Sequence, residues 1–129
     1  MDGDLGNYIN EQKLNNSNIE IYQFLNWSKQ IADGLFFLNF KKIIHGDLKS
    51  KNIFLTKNKT QAKIGDYDDR FLIKNGKINL PNGTEGWHAP ETIKGIWTHK
   101  ADVFSFALIL WSMFTLKEPE NMINIEEEM

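Results

Sequence analysis

The 129-residue sequence contains no cysteine and only three prolines. Without cysteine there is no disulfide framework and no thiolate metal site. A reducing compartment fits that absence without being required by it. Charge of one sign is missing too: 15 Lys and Arg stand against 17 Asp and Glu, a net charge of −2. No basic field therefore argues for nucleic acid, and no polybasic segment argues for an anionic membrane surface. The one long apolar run, Val103 to Leu116, has 14 residues, short of the ~18–20 needed to span a bilayer. The opening MDGDLGNYINEQ is acidic and polar, without the basic start and apolar stretch of a secretory signal. The expectation is a soluble chain with no direct membrane contact in this segment.

What is present suits one globular domain: 41% hydrophobic, 12% aromatic and 25% charged residues. A fold of this length can bury about two thirds of its unfolded surface. Between residues 19 and 40, Ile21, Phe24, Leu25, Ser28, Ile31, Leu35 and Leu38 recur at helical spacing, with polar residues between them. Asn18 is the expected N-cap. Gly34 lowers the helix propensity by about 1 kcal/mol relative to alanine, which suggests a close approach at that point. Further on, Ile53-Phe54-Leu55 and Ala62-Lys63-Ile64 read as two strands joined by a turn at Lys57-Asn58-Lys59-Thr60. Residues 66–91 read as irregular, with turn signals at Asn75-Gly76 and Pro81-Asn82-Gly83. From Asp102 the run VFSFALILW is apolar on nearly every side, which predicts a helix buried within a larger body. The end, KEPENMINIEEEM, reads as an acidic loop or frayed tail, and 119–129 is set apart from a domain over 1–118.

Three clusters could carry chemistry: His45-Gly46-Asp47-Leu48-Lys49-Ser50-Lys51-Asn52, then Lys63-Ile64-Gly65-Asp66-Tyr67-Asp68, then Trp87-His88-Ala89-Pro90-Glu91. Each has a plain structural reading. Asp47 and Asn52 could serve turns, Ala-Pro-Glu could open a helix, and Asp102 could be an N-cap. Together they match an ordered set. H-x-D-L-x-x-x-N, an Asp where D-F-G falls, and A-P-E follow one another, 19 residues from Asp47 to Asp66 and 25 from Asp66 to Glu91. On these motifs residues 1 to about 118 resemble a protein kinase catalytic domain. Lys49 and Thr84 are similar to serine/threonine kinases, whereas Trp87-x-Ala-Pro-Glu, GDLGNYI and SFALILW are similar to tyrosine kinases. That mixture points to the tyrosine-kinase-like group that includes the Raf kinases, with receptor tyrosine kinases second.

The resemblance implies an α+β, mainly α-helical fold. It corresponds to the C-terminal lobe, from the hinge through the central buried helix, with a short β-hairpin at the catalytic loop. The N-lobe, with its Gly-rich loop and strand lysine, is expected in the parent chain, and the family's final helices are absent from this stretch. The implied activity is transfer of phosphate from ATP, with Mg²⁺, to a protein Ser or Thr hydroxyl, with Tyr as the alternative acceptor. Asp47 would accept the hydroxyl proton and Lys49 would offset charge on the transferring group. Asn52 and Asp66 would hold Mg²⁺, and Phe54 would lie under the adenine. His45, Tyr67, Thr84, Glu91 and Asp102 would support these groups, Asp102 by bonding the catalytic-loop backbone. ATP use implies a cytoplasmic location, which the cytoplasmic part of a receptor would also satisfy.

Two departures, together with the N-lobe missing from this stretch, favour a second reading, a pseudokinase or truncated lobe that binds proteins. Gly46 replaces the catalytic-loop arginine, so no activation-loop phosphate switch is expected. Asp66-Tyr67-Asp68 replaces D-F-G, placing a second carboxylate beside Asp66. The isolated chain is expected not to transfer phosphate.

Overall fold

Asp4 begins the first helix because its carboxylate accepts the backbone N–H of Asn7 at 2.8 Å, satisfying one of the orphan donors of the first turn. The computed structural model describes residues 2–65 and 86–120. Asp66, Tyr67, Asp68, Thr84, both turn signals between 75 and 83, and the acidic end from 121 onward lie outside the described residues. Three helices and one antiparallel pair of strands make up the described chain: α1 (Leu5–Leu14), α2 (Ile21–Phe40), β1 (Ile53–Thr56), β2 (Gln61–Ile64) and α3 (His99–Thr115). Short 3-10 turns at Ser50–Asn52 and Pro90–Lys94 complete it.

Helix α2 follows the predicted periodicity with a shifted start. Its cap is Glu20, which makes no side-chain cap bond, and not Asn18. Trp27, Ile31 and Leu38 form its buried line, while Ile21 and Leu25 stay exposed. Gly34 is where Ile64 of β2 packs: a Cβ there would lie 2.9 Å from Ile64 Cδ1.

The hairpin pairs Ile53 with Ile64 and Thr56 with Gln61. Ile53 and Leu55 face the core, so β1 alternates between buried and half-buried positions. Its turn is held from α2. The Lys59 carbonyl accepts the Trp27 indole N–H at 3.0 Å and the Gln23 amide at 2.6 Å. On the other edge of β1 the first residues make an isolated bridge, Asp4 to Phe54: Asp2 N–H donates to the Leu55 carbonyl and Leu55 N–H to the Gly3 carbonyl.

Helix α3 begins before Asp102. Thr98 is its cap, accepting from the Lys100 N–H at 3.1 Å. Only one face is buried among the described residues, along Ala101, Asp102, Ser105, Ile109, Ser112 and Met113. Val103, Phe104 and Phe114 look outward, apolar faces of the kind expected of a helix that belongs within a larger body. Among the described elements α2 packs on α3, and the same buried face meets residues 45 and 46 through Asp102 and Trp87 through Ser105. The main core joins Leu5 and Ile9 of α1, Trp27 and Ile31 of α2, Ile53 and Leu55 of β1, and Ile109 and Met113 of α3.

Gly65, directly after β2, is required by space. An added Cβ would fall 2.0 Å from Phe54 Cε2 and 2.4 Å from Cδ2. The Phe54 ring lies across the glycine and would have to swing away. Gly65→Ala is therefore expected to cost about 1–3 kcal/mol, the range for overpacking. An unchanged midpoint in chemical denaturation would show that the ring is not held there.

Candidate active site

Helix α2 ends at Phe40 with its last carbonyls satisfied by the turn that follows. Ile43 N–H returns to the Leu38 carbonyl at 2.8 Å, and Lys42 takes the left-handed conformation at φ 58°. This reversal sends Ile44, His45 and Leu48 into the interior, where Ile44 and His45 are completely buried.

The loop 45–52 is then fixed mainly through its backbone. Asp102, in the first turn of α3, accepts His45 N–H at 2.8 Å on Oδ2 and Gly46 N–H at 3.1 Å on Oδ1. His45 uses both ring nitrogens. Nδ1 accepts the Asp47 N–H at 3.1 Å, which places the ring proton on Nε2 for donation to the Gly65 carbonyl at 2.6 Å. The Asp47 carbonyl accepts the Asn52 Nδ2 amide at 2.6 Å. Asp47 is thus bonded through both its backbone N–H and its carbonyl, and its carboxylate is left part-exposed with Lys49 Nζ 3.7 Å away.

Gly46 has a backbone reason for its identity. Its φ is 82°, in the region where a side chain costs about 1–2 kcal/mol. The loop takes this turn with no Cβ, and its N–H is one of the two that Asp102 receives.

Burial pushes the Asp102 carboxyl above the usual carboxylate range, although the two backbone donors and the nearby His45 and His99 oppose the rise. Burial likewise raises Glu118, with help from Glu120 and Asp4, while Ser50 and Lys51 act the other way. Phe54 lies on β1 opposite Lys63, bridged to Asp4 and stacked over Gly65. Glu91 is half-buried at the start of the second 3-10 turn, directly after Pro90. The structure therefore brings His45, Asp47, Lys49, Asn52 and Asp102 together.

Sequence reasoning missed several partners. Ser105, one turn beyond Asp102, donates its hydroxyl to the Trp87 carbonyl at 2.6 Å. Trp87 is fully buried, and its indole N–H is taken by Glu120. Ser50, nearly as buried, has both Glu118 oxygens at 3.4 Å. These pairs are 18 to 68 residues apart, so no local pattern announces them. A buried indole always needs an acceptor, and that was the one available signal.

The chain matches one family model, protein tyrosine and serine/threonine kinase, over residues 1–128. The chain belongs to that kinase family. It is 38% identical over 116 residues to the RGS domain-containing serine/threonine-protein kinase A of Dictyostelium discoideum, covering 89% of this chain and 10% of that protein. It is 39% identical over 99 residues to the mitogen-activated protein kinase kinase kinase dlk-1 of Caenorhabditis elegans, covering 74% of this chain and 11% of that one. With the mouse macrophage colony-stimulating factor 1 receptor it shares 36% over 107 residues, covering 76% of this chain and 10% of the receptor. The kinase relatives thus include both kinds to which the motifs were similar, and the chain spans about a tenth of their length. No helix among the described residues is long and apolar enough to cross a membrane.

Proposed function

We propose that this chain supplies the C-lobe catalytic loop of a kinase domain that transfers the γ-phosphate of ATP to a protein hydroxyl. The observation that carries this is the loop itself: Asp47 bonded at its N–H and carbonyl, with Lys49 beside its carboxylate. Asp47 accepts the proton of the attacking hydroxyl and holds that oxygen in line with the phosphorus. Lys49 places positive charge near the equatorial oxygens, where negative charge is spread during transfer. His45 and Asp102 act through the backbone, fixing where the Asp47 carboxylate points.

Mg²⁺ fits the donor set. Asn52 commits its amide nitrogen to the Asp47 carbonyl, leaving a side-chain oxygen, the hard donor that this cation takes. Asn52 would hold the ion with Asp66, and the metal would neutralise phosphate charge. Phe54 would lie under the adenine. Tyr67, Thr84 and Glu91 are assigned supporting places around the same site.

The direct test is transfer of labelled γ-phosphate from ATP to a protein substrate by the parent kinase domain. Incorporation that needs Mg²⁺ is the expected result. The second reading, a non-catalytic protein-binding module, is favoured by Gly46 and by Asp68 in place of glycine. A wild-type parent domain that binds nucleotide or partner and incorporates no label would establish it.

A further inference from the structure

Beyond α3 the chain crosses back over both loops that the helix holds. Leu116 takes a left-handed turn at φ 60°, and the segment Glu118-Pro119-Glu120 follows. Its first carboxylate meets Ser50 of the catalytic loop, 3.4 Å from each oxygen. Its last accepts the indole N–H of Trp87, whose carbonyl is already held by Ser105. Between them Pro119 is buried.

We propose that Glu118 and Glu120 are positioning residues, the two ends of a clasp that fixes the catalytic loop and the Trp87 segment to one another. Trp87 and Ser50 are 0% and 1% exposed, so each polar hydrogen needs a protein partner in place of water. A carboxylate acceptor makes the indole bond charge-assisted and stronger than a neutral one. Proline between the glutamates fixes one backbone angle, so less freedom is lost when both ends engage. Asp102 and Ser105 hold the same two segments from the helix side. The clasp adds a second set of contacts to the same two segments, from the chain beyond α3.

The catalytic consequence rests on the reading of Asp47 as the phosphoryl-transfer residue, but the clasp can be measured without it. The four tryptophans give four indole signals in a ¹⁵N spectrum of the whole chain, and Trp87→Phe assigns one. In Glu120→Ala the Trp87 indole hydrogen should exchange at least ten times faster. Glu120→Gln keeps an acceptor oxygen and should restore most of the protection. Glu118→Ala should speed the same exchange severalfold, because the proline transmits release from one end to the other. In the parent kinase domain, Glu118→Ala and Glu120→Ala should raise the KM for peptide at least threefold and leave the KM for ATP unchanged. Indole exchange unaltered in both alanine variants overturns the clasp. Exchange altered only by Glu120→Ala reduces it to a local bond and overturns the linkage. Altered exchange with unchanged peptide KM overturns the positioning role. An inactive wild-type parent would instead contradict the kinase reading, while the indole measurement still decides the clasp.

Discussion

Asp102→Ala is expected to destabilise the fold by about 2–4 kcal/mol, because it leaves two buried N–H groups without an acceptor at ~1–3 kcal/mol each. Both donors, His45 and Gly46, point at this one carboxylate. Removing the buried carboxylate also relieves its desolvation, which sets the net below the sum of the two losses. Asp102→Asn keeps one acceptor oxygen and should cost less. The sign of the pH dependence follows from the raised Asp102 pKa. The folded state holds this proton more tightly than the unfolded chain does. Its contribution is therefore fully present below the ordinary carboxylate value and is lost as pH rises through the raised one. Chemical denaturation of wild type and Asp102→Asn across that window should show a flatter pH profile in the variant. Equal profiles would remove Asp102 as the titrating group.

Asp47→Asn is expected to reduce phosphoryl transfer by the parent domain by about 10²–10⁴-fold, the usual worth of a positioned general base. Asparagine matches the carboxylate in size and leaves the two backbone bonds of residue 47 untouched. It cannot accept the proton. Loss of the carboxylate also removes the counter-charge of Lys49 at 3.7 Å, a part-exposed pair whose own contribution to stability is small. The variant should thus fold and bind nucleotide while transferring slowly.

Local chemistry was legible in the sequence, and tertiary pairing was not. Helix α2 showed itself because its apolar residues repeat over 20 positions, and the cost of Gly34 pointed to the close approach that Ile64 makes. The hairpin was legible from two short apolar runs around a polar turn. Helix α1 was overlooked: its 10 residues bury only Leu5, Gly6 and Ile9, too few for a strong periodic signal, although Asp4 with Leu5, Tyr8 and Ile9 was a readable start. Both helix starts lie away from the expected caps: Glu20 precedes α2 without a side-chain cap bond, and at α3 the capping role falls to another residue. Thr98 caps α3, which frees Asp102 to bond residues 45 and 46 instead. The candidate site was visible as a set of residue types in order. The acceptors that hold it, Gly65 for His45 and Glu120 for Trp87, are partners set by the fold, and backbone or acid alone gives no pattern to read. Gly46 was legible as a missing arginine, whereas its left-handed backbone was not.

The most direct test of the account is a single-turnover measurement of phosphoryl transfer from Mg²⁺-ATP by the parent kinase domain, wild type against Asp47→Asn. The account predicts transfer in the wild type and a rate lowered by about 10²–10⁴-fold in the variant, with nucleotide affinity unchanged. An Asp47→Asn domain that transfers phosphate at the wild-type rate would contradict it.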